Sequence, residues 1–343
     1  IKKKFSNSYS FFSNPPKYIA LIFKLIVLGL LFIINFYWNI YWKIIKMNKI
    51  LITCIIAIFL GVNAHADIKD VTLNKISEKV SSTASNLIPG EGLTEVDISV
   101  RDDNEGNPEV QFDILGVRDL IDNENSNVFT QFSLHSQDVN GDKRAIGNIG
   151  LGYRELNADQ SMMVGGNIFY DVDLFEQHQR LSMGLEARAA IIDFNYNYYQ
   201  EISNNQIVDG INEKVLSGQE YNLSSQLPYM PWTTFNIQGY RFENEKAAQD
   251  TKGNIYSLEM ALTPSLAFDV ENDVSSVDGQ DDMWNYRLTF THPPLTNKAT
   301  LMDGLTSDVA FVKANMQDKL KDKVRRNNNL VVEIQGAVTI TKK

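Results

Sequence analysis

Leu181-Ser182-Met183-Gly184-Leu185-Glu186-Ala187-Arg188 and, a few residues on, Ile192-Asp193-Phe194-Asn195-Tyr196-Asn197-Tyr198 decide the fold class. Apolar and polar residues alternate through both runs. Side chains two apart share one face of a strand, so each run has an apolar face and a largely polar one. The same period recurs at 162–172, where Met162, Val164, Ile168, Tyr170 and Val172 oppose Met163, Gly165, Asn167, Phe169 and Asp171. It recurs again where Trp284, Tyr286, Leu288 and Phe290 oppose Asn285, Arg287 and Thr289. Segments of this kind fall at 93–101, 108–116, 127–136, 144–154, 161–172, 179–189, 190–200, 218–227, 232–243, 253–263, 264–273 and 282–291. Turn signals such as Asn140-Gly141-Asp142, Asn204-Asn205, Thr263-Pro264 and Asp278-Gly279 separate them. Twelve is an even number, as a closed bacterial outer-membrane barrel requires.

A soluble sandwich alternates in the same way, and three features favour the membrane. The polar positions include mid-strand charges, which a wet lumen tolerates: Asp97, Asp113, Glu186, Arg188, Asp193, Glu259 and Asp269, with Arg287 alongside. Aromatics cluster at segment ends (Tyr153, Tyr170, Tyr199, Tyr221, Trp232, Tyr240, Trp284), as an interfacial girdle would place them. A secretory signal precedes the alternating region. In lipid only helices or closed barrels satisfy the backbone. The expectation is therefore an all-β, antiparallel up-and-down transmembrane barrel over 93–292. Glu186, Arg188, Asp193, Glu259, Asp269 and Arg287 are read as lumen charges, either salt-bridged filler or contacts that hold a linker.

The net charge of −10 divides unevenly: residues 1–66 carry eight lysines and no acid, and the remainder carries 24 basic and 42 acidic side chains. An acidic body argues against a nucleic-acid partner. From Met47, a basic start, the apolar run Ile50–Val62 and Ala64-His65-Ala66 read as a signal peptide over 47–66, cleaved after Ala66. Residues 1–46, with the apolar stretch 18–42, are read as upstream translation or a mis-assigned start. The sole cysteine, Cys54, lies inside the signal, so disulfides and thiol chemistry are not expected in the mature chain.

Residues 67–92 are polar and read as a periplasmic segment. After His292-Pro293-Pro294 the period changes: Leu305, Val309, Val312, Met316, Leu320 and Val324 recur every three or four residues, so 301–324 is predicted to be an amphipathic helix. It would pack on the periplasmic rim or thread the lumen. Arg325 to Asn329 then lead into a short strand over 330–335. For catalysis the body offers only His135, His178 and His292. His178, with Asp171, Asp173 and Glu176 nearby, is read as a solvated or turn-stabilising loop residue. Metal-ligand spacings, G-x-S-x-G and phosphate-cradling loops are absent, so neither enzyme chemistry nor a cofactor is expected.

Four blocks then carry a resemblance: Leu151-Gly152-Tyr153-Arg154; Gly166-Asn167-Ile168-Phe169-Tyr170-Asp171; His178-Gln179-Arg180-Leu181; and Arg326-Asn327-Asn328-Asn329-Leu330. In that order they resemble the β-domain of the intimin/invasin family, the inverse autotransporters. The resemblance marks Tyr170, Asp171, His178, Arg180, Arg326, Asn327, Asn328 and Asn329, and the role expected of His178 and Arg180 is loop anchoring, not chemistry. It implies a twelve-stranded outer-membrane barrel whose linker, partly helical, runs through the pore and carries a carboxy-terminal passenger to the surface. Expected partners are outer-membrane lipid, the barrel assembly machinery and, through a passenger, a surface receptor. Residues 293–343 are read as the linker helix and a short carboxy-terminal strand, with the passenger missing or truncated. The alternative is a channel with its tail in the periplasm.

Overall fold

The computed structural model describes residues 78–335, apart from 81, 84, 87, 89 and 103–107. The upstream segment 1–46, the signal peptide with Ala64 and Ala66, Cys54, the first part of 67–92 and the end of the tail lie outside the described residues. Fifteen strands run in chain order: β1 (Thr94–Asp102), β2 (Pro108–Asn123), β3 (Ser126–Val139), β4 (Asp142–Leu156), β5 (Met162–Asp173), β6 (Gln179–Ala189), β7 (Ile192–Glu201), β8 (Gln206–Val208), β9 (Ile211–Val215), β10 (Gly218–Leu227), β11 (Met230–Phe242), β12 (Thr251–Thr263), β13 (Leu266–Ser275), β14 (Met283–His292) and β15 (Val332–Gln335). Twelve of them close an antiparallel barrel in which β1 pairs with β14; β8, β9 and β15 form a separate three-stranded sheet. The twelve alternating segments of the sequence are the twelve barrel strands. Closure sets Thr94 opposite His292 and Arg101 opposite Asn285, so no open edge of the barrel faces lipid.

The pleat sorts the side chains as the alternation predicts. Leu181, Met183, Leu185, Ile192 and Phe194 point outward and are exposed, whereas Ser182, Glu186, Arg188, Asn195 and Asn197 point inward and are buried. A surface this apolar, with a polar interior, suits lipid rather than water. Among the described residues no helix is long and apolar enough to cross a membrane, and the crossing elements are strands. The aromatic girdle needs revision. Tyr153, Tyr221 and Trp284 do face outward, but Tyr199 is fully buried in the lumen and the Trp232 ring is covered, its indole N–H donating to the Leu305 carbonyl at 3.0 Å. Tyr240 also turns inward and donates to Asp273 at 2.8 Å.

The two rims differ. At one rim the turns 124–125, 157–161, 190–191, 228–229 and 264–265 span two to five residues; at the other the β7–β10 connection runs from 202 to 217 and contains the β8–β9 hairpin. Short turns mark the periplasmic side of an outer-membrane barrel and long loops the outside.

The amphipathic helix over 301–324 does not form. The segment holds a 3₁₀ turn at Leu301–Asp303 and a single helical turn, α1 (Met316–Lys319). Leu305, Val309 and Val312 are exposed, and only Met316, Leu320 and Val324 of the periodic set are buried. Residues 305–314 strap across the short-turn rim, where the Tyr229 N–H donates to the Ala310 carbonyl and the Ala314 N–H to that of Ala190. The chain then enters the lumen at Leu320 and crosses in non-helical form. The physical reason lies in the wall, whose side chains satisfy the linker carbonyls that a helix would satisfy internally. The twelve residue-to-residue steps from Leu320 to Val332, at up to about 3.3 Å each, reach about 40 Å, so the crossing needs no helix.

Candidate functional site

The inward face of β3 to β7, with β10, holds the linker in three tiers of buried charge. The tier nearest the short-turn rim centres on Arg154, which is wholly buried. Its guanidinium donates to Glu186 at 3.0 Å, to the Leu320 carbonyl at 3.0 Å and to the Asp322 carbonyl. Arg188 pairs with Glu186 at 3.0 Å and with the Asp322 carboxylate at 3.1 Å, and donates to the Lys323 carbonyl at 3.0 Å. Asp193 pairs with Lys319 beside it.

The middle tier brings the distant motif halves together. Asp171 accepts from Arg180 at 2.9 Å, from Arg326 at 2.6 Å and from Asn148 at 2.8 Å. Arg180 also donates to the Asn327 carbonyl at 2.8 Å, and Asn148 to that of Asn328 at 3.1 Å. The Asn327 N–H donates to Glu220 at 2.9 Å and to the Tyr199 hydroxyl at 2.8 Å. The Asn328 side chain accepts from Arg326 at 2.9 Å, and the Asn329 N–H donates to the Asn327 side chain at 3.0 Å. Tyr170 points out of the lumen and stays half-buried, apart from this cluster.

Rings beneath the arginines complete the wall. Phe169 lies over Gly150 and Phe129 over Gly152, where an added Cβ would come within 2.4 Å and 2.2 Å of ring carbons. The Arg326 guanidinium stacks 4.3 Å above Phe169, and that of Arg154 4.2 Å above Phe129. A wall glycine thus lets a ring lie flat, and the ring carries the cation. Gly152→Ala is expected to displace Phe129 and cost about 1–3 kcal/mol, as overpacking does. Urea unfolding in detergent would measure it; a midpoint unmoved by Gly152→Ala would refute this role.

The third tier lies at the long-loop rim. Arg144 grips Glu213 of β9 through two hydrogen bonds of 2.7 Å and 2.8 Å, and His178 meets the same carboxylate at 3.1 Å. His178 is wholly buried. The histidine is not solvated: it anchors the β8–β9 hairpin, the loop-anchoring role expected of it, because the β7–β10 loop folds down over it, while its carbonyl closes its own turn by accepting from the Asp173 N–H at 2.8 Å. The linker leaves the pore here and becomes β15, pairing Val332 with Val215 and Gln335 with Asn212. Glu333 accepts from the N–H groups of Glu245, Lys246 and Ala247 at 2.8–3.1 Å. Burial opposes its charge, but the three N–H groups outweigh this and hold the carboxyl below its ordinary 4.5. A depressed carboxyl stabilises fully above the ordinary value and loses that contribution as pH falls through its lower folded one. Protease cleavage within 243–250 is therefore expected to rise as pH falls below 4.5. In Glu333→Gln it should be high already at pH 7; equal protection in both proteins at every pH would discount the carboxylate.

Of the six lumen charges read from sequence, Arg188, Asp193 and Glu259 touch the linker directly, and Glu186 backs both Arg154 and Arg188. Glu259 pairs with Arg325 at 2.9 Å and with Lys298 at 3.0 Å. Arg287 pairs with Glu271 at 3.3 Å and, like Asp269, lines the opposite wall without reaching the linker. Arg154, Glu220, Tyr199, Arg144 and Glu213 were missed. The first four sit at inward positions of alternating strands, so parity alone reaches them. Glu213 lies in a loop hairpin with no periodic signal.

A closed barrel with a polar lumen, an apolar outer face and its own chain threaded through it is an outer-membrane translocator barrel. The inverse autotransporter β-domain family model matches residues 61–328. The chain belongs to that family and resides in the bacterial outer membrane. It is 27% identical to the invasin of Yersinia enterocolitica over 216 residues, 59% of this chain and 25% of the invasin. It is 24% identical to the inverse autotransporter adhesin YeeJ of Escherichia coli strain K12, over 60% of this chain and 9% of YeeJ. The chain thus spans a quarter or less of these relatives. A solved structure from work on in-meso crystallization of membrane proteins overlaps 71% of this chain and all of its own, with a TM-score of 0.57 at 17% identity, which supports the fold.

Proposed function

We propose that the barrel holds its own linker across the outer membrane and displays whatever follows Gln335 on the cell surface. One observation carries this: the chain enters the lumen at the short-turn rim through Leu320 and leaves at the long-loop rim as β15. In this reading the buried charges dock the linker and perform no covalent chemistry. The invasin and adhesin names of the relatives suggest an adhesive passenger that meets a surface receptor. Outer-membrane lipid and the barrel assembly machinery are the partners of the barrel itself.

An epitope tag placed after Lys343 tests display. Antibody should reach it on intact cells. A tag protected until the cells are lysed would overturn display and favour a channel with a periplasmic tail.

A further inference from the structure

The linker occupies only one side of the lumen. Against β1, β2 and β11 to β14 lies one cavity of about 720 Å³. At about 30 Å³ per water it has room for some two dozen waters. Its lining extends from Leu93, Lys298 and Thr300 at the short-turn rim to Arg101, Gln280 and Met283 at the other, so it runs the height of the barrel beside the linker.

The charges of this cavity do not balance. The cations of this wall, and those the linker turns toward it, have carboxylates: Arg101 with Asp273, Arg287 with Glu271, the linker's Lys323 with Glu95, and Lys298 and the linker's Arg325 with Glu259. Asp97, Asp113 and Asp269 remain without an ion pair among the described residues. Asp269 is 9% exposed and its Oδ1 has no hydrogen-bond partner. Asp97 and Asp113 stand directly opposite each other across β1 and β2, and each also leaves Oδ1 without one. Like charges in directly opposed positions destabilise a sheet, and a cation in the cavity relieves that repulsion.

We propose that this cavity is a cation-selective passage that stays open while the linker is in place, with Asp97, Asp113 and Asp269 setting the selectivity. Small monovalent cations such as potassium are the permeant class. The passage is separable from display, because Asp97, Asp113 and Asp269 form no ion pair with the linker, which this wall holds through Glu95 and Glu259 instead.

The test uses the full chain in planar bilayers under a potassium chloride gradient. A small current with a reversal potential on the cation side is expected, and Asp97→Asn/Asp113→Asn/Asp269→Asn should lower the potassium-to-chloride permeability ratio severalfold. Absence of current through the intact chain, or a ratio unmoved by the triple substitution, overturns the proposal. Should the triple variant fail to fold, Thr289→Cys in a Cys54→Ser background answers the same question, since Thr289 lines the cavity opposite Asp97. A positively charged thiol reagent should modify it severalfold faster than a negatively charged one of equal size; equal or reversed rates overturn the proposal. Antibody access to a tag after Lys343, measured on the same variants, reports display separately.

Discussion

Asp171→Asn should cost about 3–5 kcal/mol, the range for removing one partner of a buried ion pair. The carboxylate is wholly buried and faces two guanidiniums, Arg180 at 2.8 Å and Arg326 at 2.6 Å, whose side chains are 0% and 1% exposed. Without it, two buried cations confront each other with no counter-charge between them. Ring contacts from Phe169 and Tyr199 soften that repulsion but do not replace the charge. Arg326 belongs to the linker, so the loss falls on docking as well as on the barrel. The expected results are a lower melting temperature in detergent and reduced antibody access to a tag after Lys343. Asp171→Asn/Arg326→Met should recover part of the melting temperature, because it removes the stranded charge along with its partner. A single variant that melts with the unaltered protein would mean that the middle tier is dispensable.

How much of this site could be read beforehand follows from where each residue sits. Period two in β5 to β7 assigns every side chain a face, so the sequence alone places Glu186, Arg188 and Asp193 in the lumen. The same parity puts Tyr199 inward, since Tyr198 belongs to the outer set. Reading Tyr199 as girdle followed aromatic character and ignored register. The linker misled for a different reason. Leu305 to Val324 has helical spacing, but spacing describes a helix only where the backbone must satisfy itself. Here Arg154, Arg188, Asn197, Arg180, Asn148 and Gln137 all donate to carbonyls of residues 320–330. The tertiary wall thus overrides a local preference worth only fractions of a kcal/mol per residue. His178 and Glu213 illustrate a further limit. They are 35 residues apart and meet only because a hairpin folds over the rim.

Glu213→Ala is expected to release the linker where it leaves the pore while the barrel stays closed. Glu213 is 3% exposed and is the one acceptor that both Arg144 and His178 share. Its loss strands Arg144, although Asp173 at 3.6 Å still neutralises part of the charge. Breaking such a pair costs about 3–5 kcal/mol, and this cost falls on β9 because the barrel ladder does not pass through it. Since β15 is built on β9, and the Val331 carbonyl accepts from the Leu216 N–H at 2.8 Å, the two loosen together. At about 1.4 kcal/mol per tenfold, amide exchange in 206–215 and 332–335 should accelerate by roughly a hundredfold or more. Amides of β4 and β5 should keep their protection. Glu213→Gln retains an acceptor for Arg144 and should fall between the two. Faster exchange in 206–215 with 332–335 unchanged would show that the linker is held by the middle tier alone; no change in either would remove Glu213 from the anchoring mechanism.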